Sequence, residues 1–217
     1  MDSLIGIIPD EWAEKSLGEV CDILAGPSAT KISSDAEPSS DNVPVVTPGD
    51  LRHNRITAGY TTSVPRGTAD KLSRYRLLPD DIVCARTGYL DRYGIAGDRQ
   101  QGWLIGPACL RLRAHHVISA RYLVQYLGHP AVRDWITRNT SSSAIPTLSI
   151  AILGSLPVVI PPLAVQTFAA EILGALDDKI IVHEEVSRAT AALRDAVLIP
   201  LLTGADPKQQ LDGQLFS

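Results

Sequence analysis

Two short stretches gather hydrogen-bond donors and rings at spacings suited to nucleic-acid contact. Leu51-Arg52-His53-Asn54-Arg55-Ile56 follows directly on the turn Thr47-Pro48-Gly49-Asp50. Its arginines and asparagine carry paired polar atoms that match phosphate oxygens and base edges. Arg86-Thr87-Gly88-Tyr89-Leu90-Asp91-Arg92-Tyr93-Gly94 interleaves two arginines with two tyrosines in a glycine-bounded loop. Such a loop can set cations against phosphates and flat rings against bases or sugars. The same residues also suit a tight hairpin whose tyrosines pack on their own sheet. Within the polar stretch 27–42, Thr30 and Lys31 are the residues suited to a phosphate.

No set of residues converges on catalysis. The chain has no P-loop, no G-x-G-x-x-G, no H-E-x-x-H and no G-x-S-x-G. Ile160-Pro161-Pro162-Leu163 shares its prolines with the motif of amino-methyltransferases, but lacks the Asn or Asp before them and the aromatic after them. His115-His116 are adjacent and, on extended backbone, point opposite ways, so an exposed turn explains them better than a metal site. Cys21, Cys84 and Cys109 are far apart with no C-x-x-C pair. They read as reduced, buried thiols rather than a disulfide frame or zinc ligands. No metal or cofactor is expected on this chain.

The elements that would position these loops follow from pattern and punctuation. Trp12 reads as a packing anchor, and Lys15–Leu24 as a continuous strand stopped by Gly26-Pro27. Val43–Val46 is a short strand and Gly59–Pro65 a possible one. Thr68–Arg76 suits a short helix, and Ile82–Ala85 a buried strand. Strands are expected around Ile95-Ala96 and Cys109–Leu112. Ser119–Leu127 and Pro130–Arg138 read as helices, with Tyr122/Tyr126 and Leu123/Leu127 at helical spacing. Leu156–Ile160 is a short apolar run ended by Pro161-Pro162.

Leu163–Ile199 is the longest proline-free stretch, with Pro162 as its start signal and Pro200 as its stop. As a helix it would span roughly 55 Å. Phe168, Ile172, Leu176, Ile180, Val182, Val186, Ala189, Leu193 and Val197 recur mostly at steps of three or four. Asp177, Asp178, Glu184, Glu185, Arg188 and Asp195 lie between them. A seven-residue count gives a coiled-coil row with Lys179 as a blemish. The helix therefore either packs on its own domain or pairs with another helix.

The net charge is −4 over 217 residues, but its distribution is uneven. Residues 1–50 carry two basic and ten acidic side chains. Residues 51–150 carry fourteen basic and six acidic, and thirteen of the fourteen are arginine. The central segment suits an anionic partner. The N-terminal residues do not read as a signal peptide, and no apolar run suits a bilayer span, so a cytoplasmic, non-membrane protein is expected.

The order of these signals resembles the specificity subunit of type I restriction–modification systems. The matching pieces are Trp12 with Leu17-Gly18, Val43-Pro44-Val45 leading to Asp50-Leu51, Leu78–Val83, and Ala85-Arg86-Thr87-Gly88. The strongest is Ile145-Pro146-Thr147-Leu148, then Leu156–Leu163 to Gln166, then the long helix ending near Leu201-Leu202-Thr203-Gly204. Val165 departs from the acidic residue usual before that glutamine. The family usually carries two recognition domains and two long helices, and this sequence carries one of each.

The resemblance implies an α+β fold. One target-recognition domain with a mixed β core and short helices (1–162) precedes a long coiled-coil-forming helix (163–200) and a tail (201–217). It implies a non-catalytic subunit that binds double-stranded DNA, docks DNA methyltransferase subunits and, in systems that carry one, a restriction nuclease subunit. S-adenosylmethionine would then be held by the methyltransferase. A homodimer paired through the helix would read an interrupted inverted repeat. Thr30, Lys31, Arg52, His53, Asn54, Arg55, Arg86, Thr87, Tyr89, Arg92 and Tyr93 become the candidate DNA contacts, with backbone contacts from Ser141, Ser142 and Ser143. The alternative is a helical-arm assembly protein whose arginine-rich domain binds a protein partner.

Overall fold

The computed structural model describes residues 1–32, 39–57, 62–140 and 145–203. Ser141, Ser142, Ser143 and Gly204 lie outside them, as do parts of the stretches 27–42 and 59–65. In chain order the elements are β1 (Asp2–Ser3), β2 (Gly6–Ile7), β3 (Ala13–Ser16), α1 (Leu17–Val20), β4 (Cys21–Ala25), β5 (Val43–Val46), β6 (Leu51–Arg52), β7 (Arg55–Ile56) and β8 (Ser63–Val64). Then come α2 (Arg66–Lys71), β9 (Ile82–Ala85), β10 (Tyr93–Ile95), β11 (Leu104–Ile105), β12 (Cys109–Ala114), α3 (Ala120–Leu127), α4 (Pro130–Asn139), α5 (Ile150–Gly154), β13 (Pro157–Ile160) and α6 (Leu163–Thr203). The fold is α+β, as expected.

A six-stranded sheet, in the order β4-β12-β9-β10-β7-β6, organises the body. Strand β9 is buried on both faces, and its period of two divides the core. Ile82 and Cys84 face one apolar cluster with Leu110, Leu112, Leu123, Leu127 and Ile136. Val83 and Ala85 face a second cluster with Val46, Leu51, Ile56, Ile105 and Cys109. Helices α3 and α4 supply the first cluster, and α3 is tied to β13 by hydroxyls. Tyr122 donates to the Val159 carbonyl at 3.1 Å and Tyr126 to the Pro157 carbonyl at 3.0 Å. Ser119 caps α3 by accepting from the Tyr122 N–H, which explains why the helix starts where the serine ends the preceding turn.

Two charged side chains are bonded where they enter the core. Asp81, 1% exposed, takes a bidentate pair from Arg113 at 2.7 Å and accepts from the Leu78 N–H at 2.8 Å. Arg111 lies across from Val83 and donates to the carbonyls of Arg74 and Arg76. Trp12 packs at the margin of the first cluster as expected.

Two local expectations are corrected. The strand expected over Lys15–Leu24 is broken by α1, because Ser16 and Glu19 form a capping box: the Ser16 N–H donates to Glu19 at 2.8 Å and its hydroxyl at 2.6 Å. Those bonds hold the Glu19 carboxyl below its ordinary range. Pro200 does not stop α6, which continues to Thr203. Near a terminus proline forfeits one hydrogen bond without ending the turn, and Thr203 closes that turn by donating its hydroxyl to the Ile199 carbonyl at 2.8 Å.

The chain divides into the units Met1–Gly174 and Ala175–Ser217. The first unit takes in the start of α6, which is locked to the body by Gln166. This fully buried carboxamide accepts from the Ser119 N–H at 2.7 Å and donates to the carbonyls of Pro161 at 2.8 Å and Val117 at 3.3 Å. In the second unit the described residues are helical, and Leu176, Ile180, Val182, Val186 and Leu193 are all more than 45% exposed.

Gln166→Leu keeps the volume but strands those backbone groups. It is expected to lower stability by about 3 kcal/mol in urea unfolding, one to three per orphaned group being usual before partial rescue by water. The thiols give a pH test. Burial pushes Cys21 and Cys109 from the ordinary 9.0 up to about 12. Above pH 9 the unfolded chain therefore releases protons that the folded chain keeps. Stability is fully present below pH 9 and declines from there toward pH 12. At pH 8 the native chain should not react with a thiol reagent that titrates all three cysteines after denaturation.

Candidate nucleic-acid interface

The antiparallel register of the large sheet gathers distant loops at one end. Leu110 pairs with both Ala25 and Cys84, and Cys84 with Tyr93. One residue further, the Gly26 N–H donates to the Cys109 carbonyl at 3.0 Å and the Ala85 N–H to the Arg92 carbonyl at 3.0 Å. The chain therefore leaves β4 toward Thr30 and Lys31 at the same end where loop 86–92 joins β9 to β10. The hairpin β6–β7 points its tip toward this end, because β7 runs parallel to β10 with Arg55 opposite Ile95. Its tip, His53-Asn54, thus comes beside Tyr93-Gly94.

The tip has the geometry of a type I′ turn. His53 and Asn54 have φ of 48° and 57°, both left-handed, which matches the twist of a two-residue hairpin. Asn54 is anchored three ways: its carbonyl accepts from the Ile95 N–H at 3.0 Å, its side-chain amide donates to Gln125 of α3 at 3.2 Å, and its chain is pressed onto Gly94. A Cβ built on Gly94 would lie 2.7 Å from the Arg55 carbonyl group. Arg52 and Arg55 are both exposed and directly opposite across the hairpin. Like charges so placed repel, and an anion between them relieves that repulsion.

Loop 86–92 is held along its length. Arg86 donates its N–H to the Ala108 carbonyl at 2.7 Å and accepts from the Leu148 N–H at 2.8 Å. Thr87 bridges to Thr147, and the Gly88 N–H donates to the Pro146 carbonyl at 3.2 Å. Segment 145–148 therefore docks on the loop. At the tip the Arg92 guanidinium lies 4.7 Å from the centre of the Tyr89 ring and donates to the Pro48 carbonyl at 3.2 Å. Tyr89 is 71% exposed.

Thr30 and Lys31 follow β4, and Arg86, Thr87, Tyr89 and Arg92 follow β9, at this end; the hairpin tip His53-Asn54 points toward it, whereas Arg52 and Arg55 stand level with Ile95 and Ile82, at the far end of β9. Ser141–Ser143 lie outside the described residues. Tyr93 is a correction. It was expected to offer its ring to DNA, but it is 3% exposed. In β10 it stands opposite Cys84 and shares that residue's face, inside the first core cluster. Burial pushes its hydroxyl well above the ordinary tyrosine range. Arg92 is half-buried and braces the loop. Reasoning from sequence missed Gly94, Gln125 and Pro48; a glycine inside a strand pattern is the available signal for close backbone approach. Among the described residues no group of His, Cys, Asp and Glu is placed to hold a metal, and no helix is long and apolar enough to cross a membrane.

A family model described as the type I restriction modification DNA specificity domain matches residues 9–189. The chain is similar to the specificity subunit of type I restriction enzyme EcoBI from Escherichia coli, 28% identical over 214 residues, which are 94% of this chain and 41% of that protein. It is 21% identical over 206 residues to the StySPI specificity subunit from Salmonella potsdam, covering 92% of this chain and 44% of that one. The crystal structure of a type I restriction–modification S subunit from M. genitalium superposes with a TM-score of 0.56 at 17% identity, over 87% of this chain and 45% of that chain. The chain spans less than half the length of the curated relatives it matches.

Gly94→Ala tests the packing of the hairpin. The added Cβ meets backbone rather than a yielding side chain, so the variant is expected to lose about 1–3 kcal/mol. Amide exchange should speed up in residues 51–56 and at Ile95 more than in β12.

Proposed function

The chain belongs to the type I restriction modification DNA specificity domain family, and from that premise we propose that it reads a DNA sequence on behalf of a DNA methyltransferase. The observation that carries this reading is the loop 86–92, which sets Arg86, Tyr89 and Arg92 at one end of the sheet with the hairpin tip His53-Asn54 pointing toward it, in a segment, residues 51–150, with fourteen basic and six acidic residues. Loops 26–32, 52–55 and 86–92 lie against the duplex; phosphate contacts set register and base contacts select the site. The chain itself is not catalytic. Methyl transfer, with S-adenosylmethionine and the flipped target base, belongs to the methyltransferase subunit, and a restriction nuclease subunit acts where the system has one. The complex works on DNA in the cytoplasm.

The second part of the proposal is a homodimer through α6. Phe168, Ile172, Leu176, Ile180, Val182, Val186 and Leu193 are exposed apolar residues, each at least 46% accessible. Ala189 and the half-buried Val197 extend the same series. An apolar series of this length in water is stabilised by a second helix. Two copies related by a two-fold axis present two identical recognition bodies, and so read an inverted repeat with a gap.

Light scattering tests the dimer. The expected mass is about twice 23.3 kDa, and Leu176→Glu with Val186→Glu is expected to reduce it to the monomer mass. A wild-type monomer, alone and with the methyltransferase, contradicts the dimer. Selection from a randomised duplex library, with the methyltransferase present, is expected to enrich an interrupted inverted repeat. Affinity should fall steeply with salt, with a log–log slope of about −0.9 per phosphate neutralised. Binding that ignores both sequence and salt would favour a protein partner for the arginine-rich body.

A further inference from the structure

Tyr89 is held out in water by a loop that fixes the residues around it. It is 71% exposed, whereas Tyr93, Tyr122 and Tyr126 are buried. On one side of it Gly88, at φ 78°, donates its N–H to the Pro146 carbonyl at 3.2 Å. On the other side Leu90 is buried in the first core cluster. The ring itself is braced: the Arg92 guanidinium lies over it, 4.7 Å from its centre. Arg92 is half-buried and is itself fastened by donating through Nη1 to the Pro48 carbonyl at 3.2 Å. Backbone and one ring face are thus fixed, and most of the ring is presented to solvent.

Tyrosines that serve packing look different in this fold. Tyr122 and Tyr126 are buried and donate their hydroxyls to carbonyls of β13. A rigid, exposed ring suits contact with a partner, because little freedom is left to lose on binding. Its place in the sequence agrees with a role particular to this chain. Ala85-Arg86-Thr87-Gly88 is a piece shared with the specificity family, and Tyr89 is the first residue beyond it. A residue that sets this chain's own target belongs outside the shared pieces.

The chemistry of the ring narrows what it can select. The base edges of a closed duplex present hydrogen-bonding groups and one apolar group, the C5-methyl of thymine in the major groove. The face of an aromatic ring is electron-rich, which suits the hydrogens of a methyl group. Arg92, with its guanidinium engaged by Tyr89 and Pro48, is placed to hold the ring.

We propose that Tyr89 is a specificity-determining residue that packs its ring on the C5-methyl of a thymine, with Arg92 as the positioning residue that holds the ring in place. The assignment rests on the DNA-recognition reading above and deepens it. One thymine is read in this way by each copy of the chain.

The test begins with selection from a randomised duplex library by the full chain with its methyltransferase. Affinity is then measured on the selected duplex with each thymine replaced in turn by deoxyuridine, which lacks only the methyl. For wild type, one replacement per half-site is expected to weaken binding roughly four- to tenfold, the usual range for one methyl group. Tyr89→Ala is expected to bind the thymine and deoxyuridine duplexes alike, and Tyr89→Phe, which keeps the ring, to restore the difference. Arg92→Gln is expected to shrink the difference while leaving the salt slope as in wild type. A slope shallower by about 0.9 would instead make Arg92 a phosphate contact and overturn its positioning role. Sensitivity to deoxyuridine that survives Tyr89→Ala, or a selected half-site without an A·T pair, overturns the assignment while leaving DNA recognition standing. The thermal midpoint of Tyr89→Ala should lie within about 2 °C of wild type, as for other exposed positions, and a steep fall overturns the assignment in favour of a structural role. A wild-type chain that enriches no motif overturns the DNA reading and this assignment together.

Discussion

The register running through β4, β12, β9 and β10 is the constraint on which the candidate interface depends. It brings Gly26, Cys109, Ala85 and Arg92 to one end of the sheet, and so brings together loops about sixty residues apart in sequence. Because side chains alternate along a strand, a slip of one residue would turn Ile82 and Cys84 out of one core and Val83 and Ala85 out of the other. With β9 buried on both faces, such a slip is strongly disfavoured. The hairpin of residues 51–56 depends on the same frame, since Gly94 lets its backbone settle against β10.

At a second point Gln166 links three separate segments, 117–119, the Pro161-Pro162 turn and the first turn of α6. A buried carboxamide with its oxygen and nitrogen both bonded fixes position in a way that an apolar side chain does not, because each bond fails if the helix rotates. The body and the first turn of α6 are thereby joined within the first unit.

Much of the fold was legible from local signals. Val43–Val46, Ile82–Ala85 and both α3 and α4 follow from periodicity, cap residues and proline positions, and the start of α6 at Leu163 follows from Pro161-Pro162. What was not legible is short or non-local. Helix α1 has four residues, too few to establish a period, and only the Ser16–Glu19 spacing hints at it. Tyr93 looked like its neighbour Tyr89 by composition, but their fates differ because one lies in a strand and the other in the loop before it. The turn at His53-Asn54 lacks the usual Asn-Gly signature, so the arginine cluster was visible without its hairpin. The placement of loops 26–32, 52–55 and 86–92 depends on strand pairing between distant residues, which no local window contains.

The most direct measurement of the central claim is amide hydrogen exchange of the chain with its methyltransferase, with and without a duplex carrying the selected site. The account predicts added protection by DNA in residues 28–32, 52–55 and 86–92. No added protection is expected at the opposite end of the sheet, in residues 78–81 and 113–121. Protection confined to that opposite end, or a pattern unchanged by DNA under conditions where the complex binds it, would contradict the assignment of the loop end as the recognition surface.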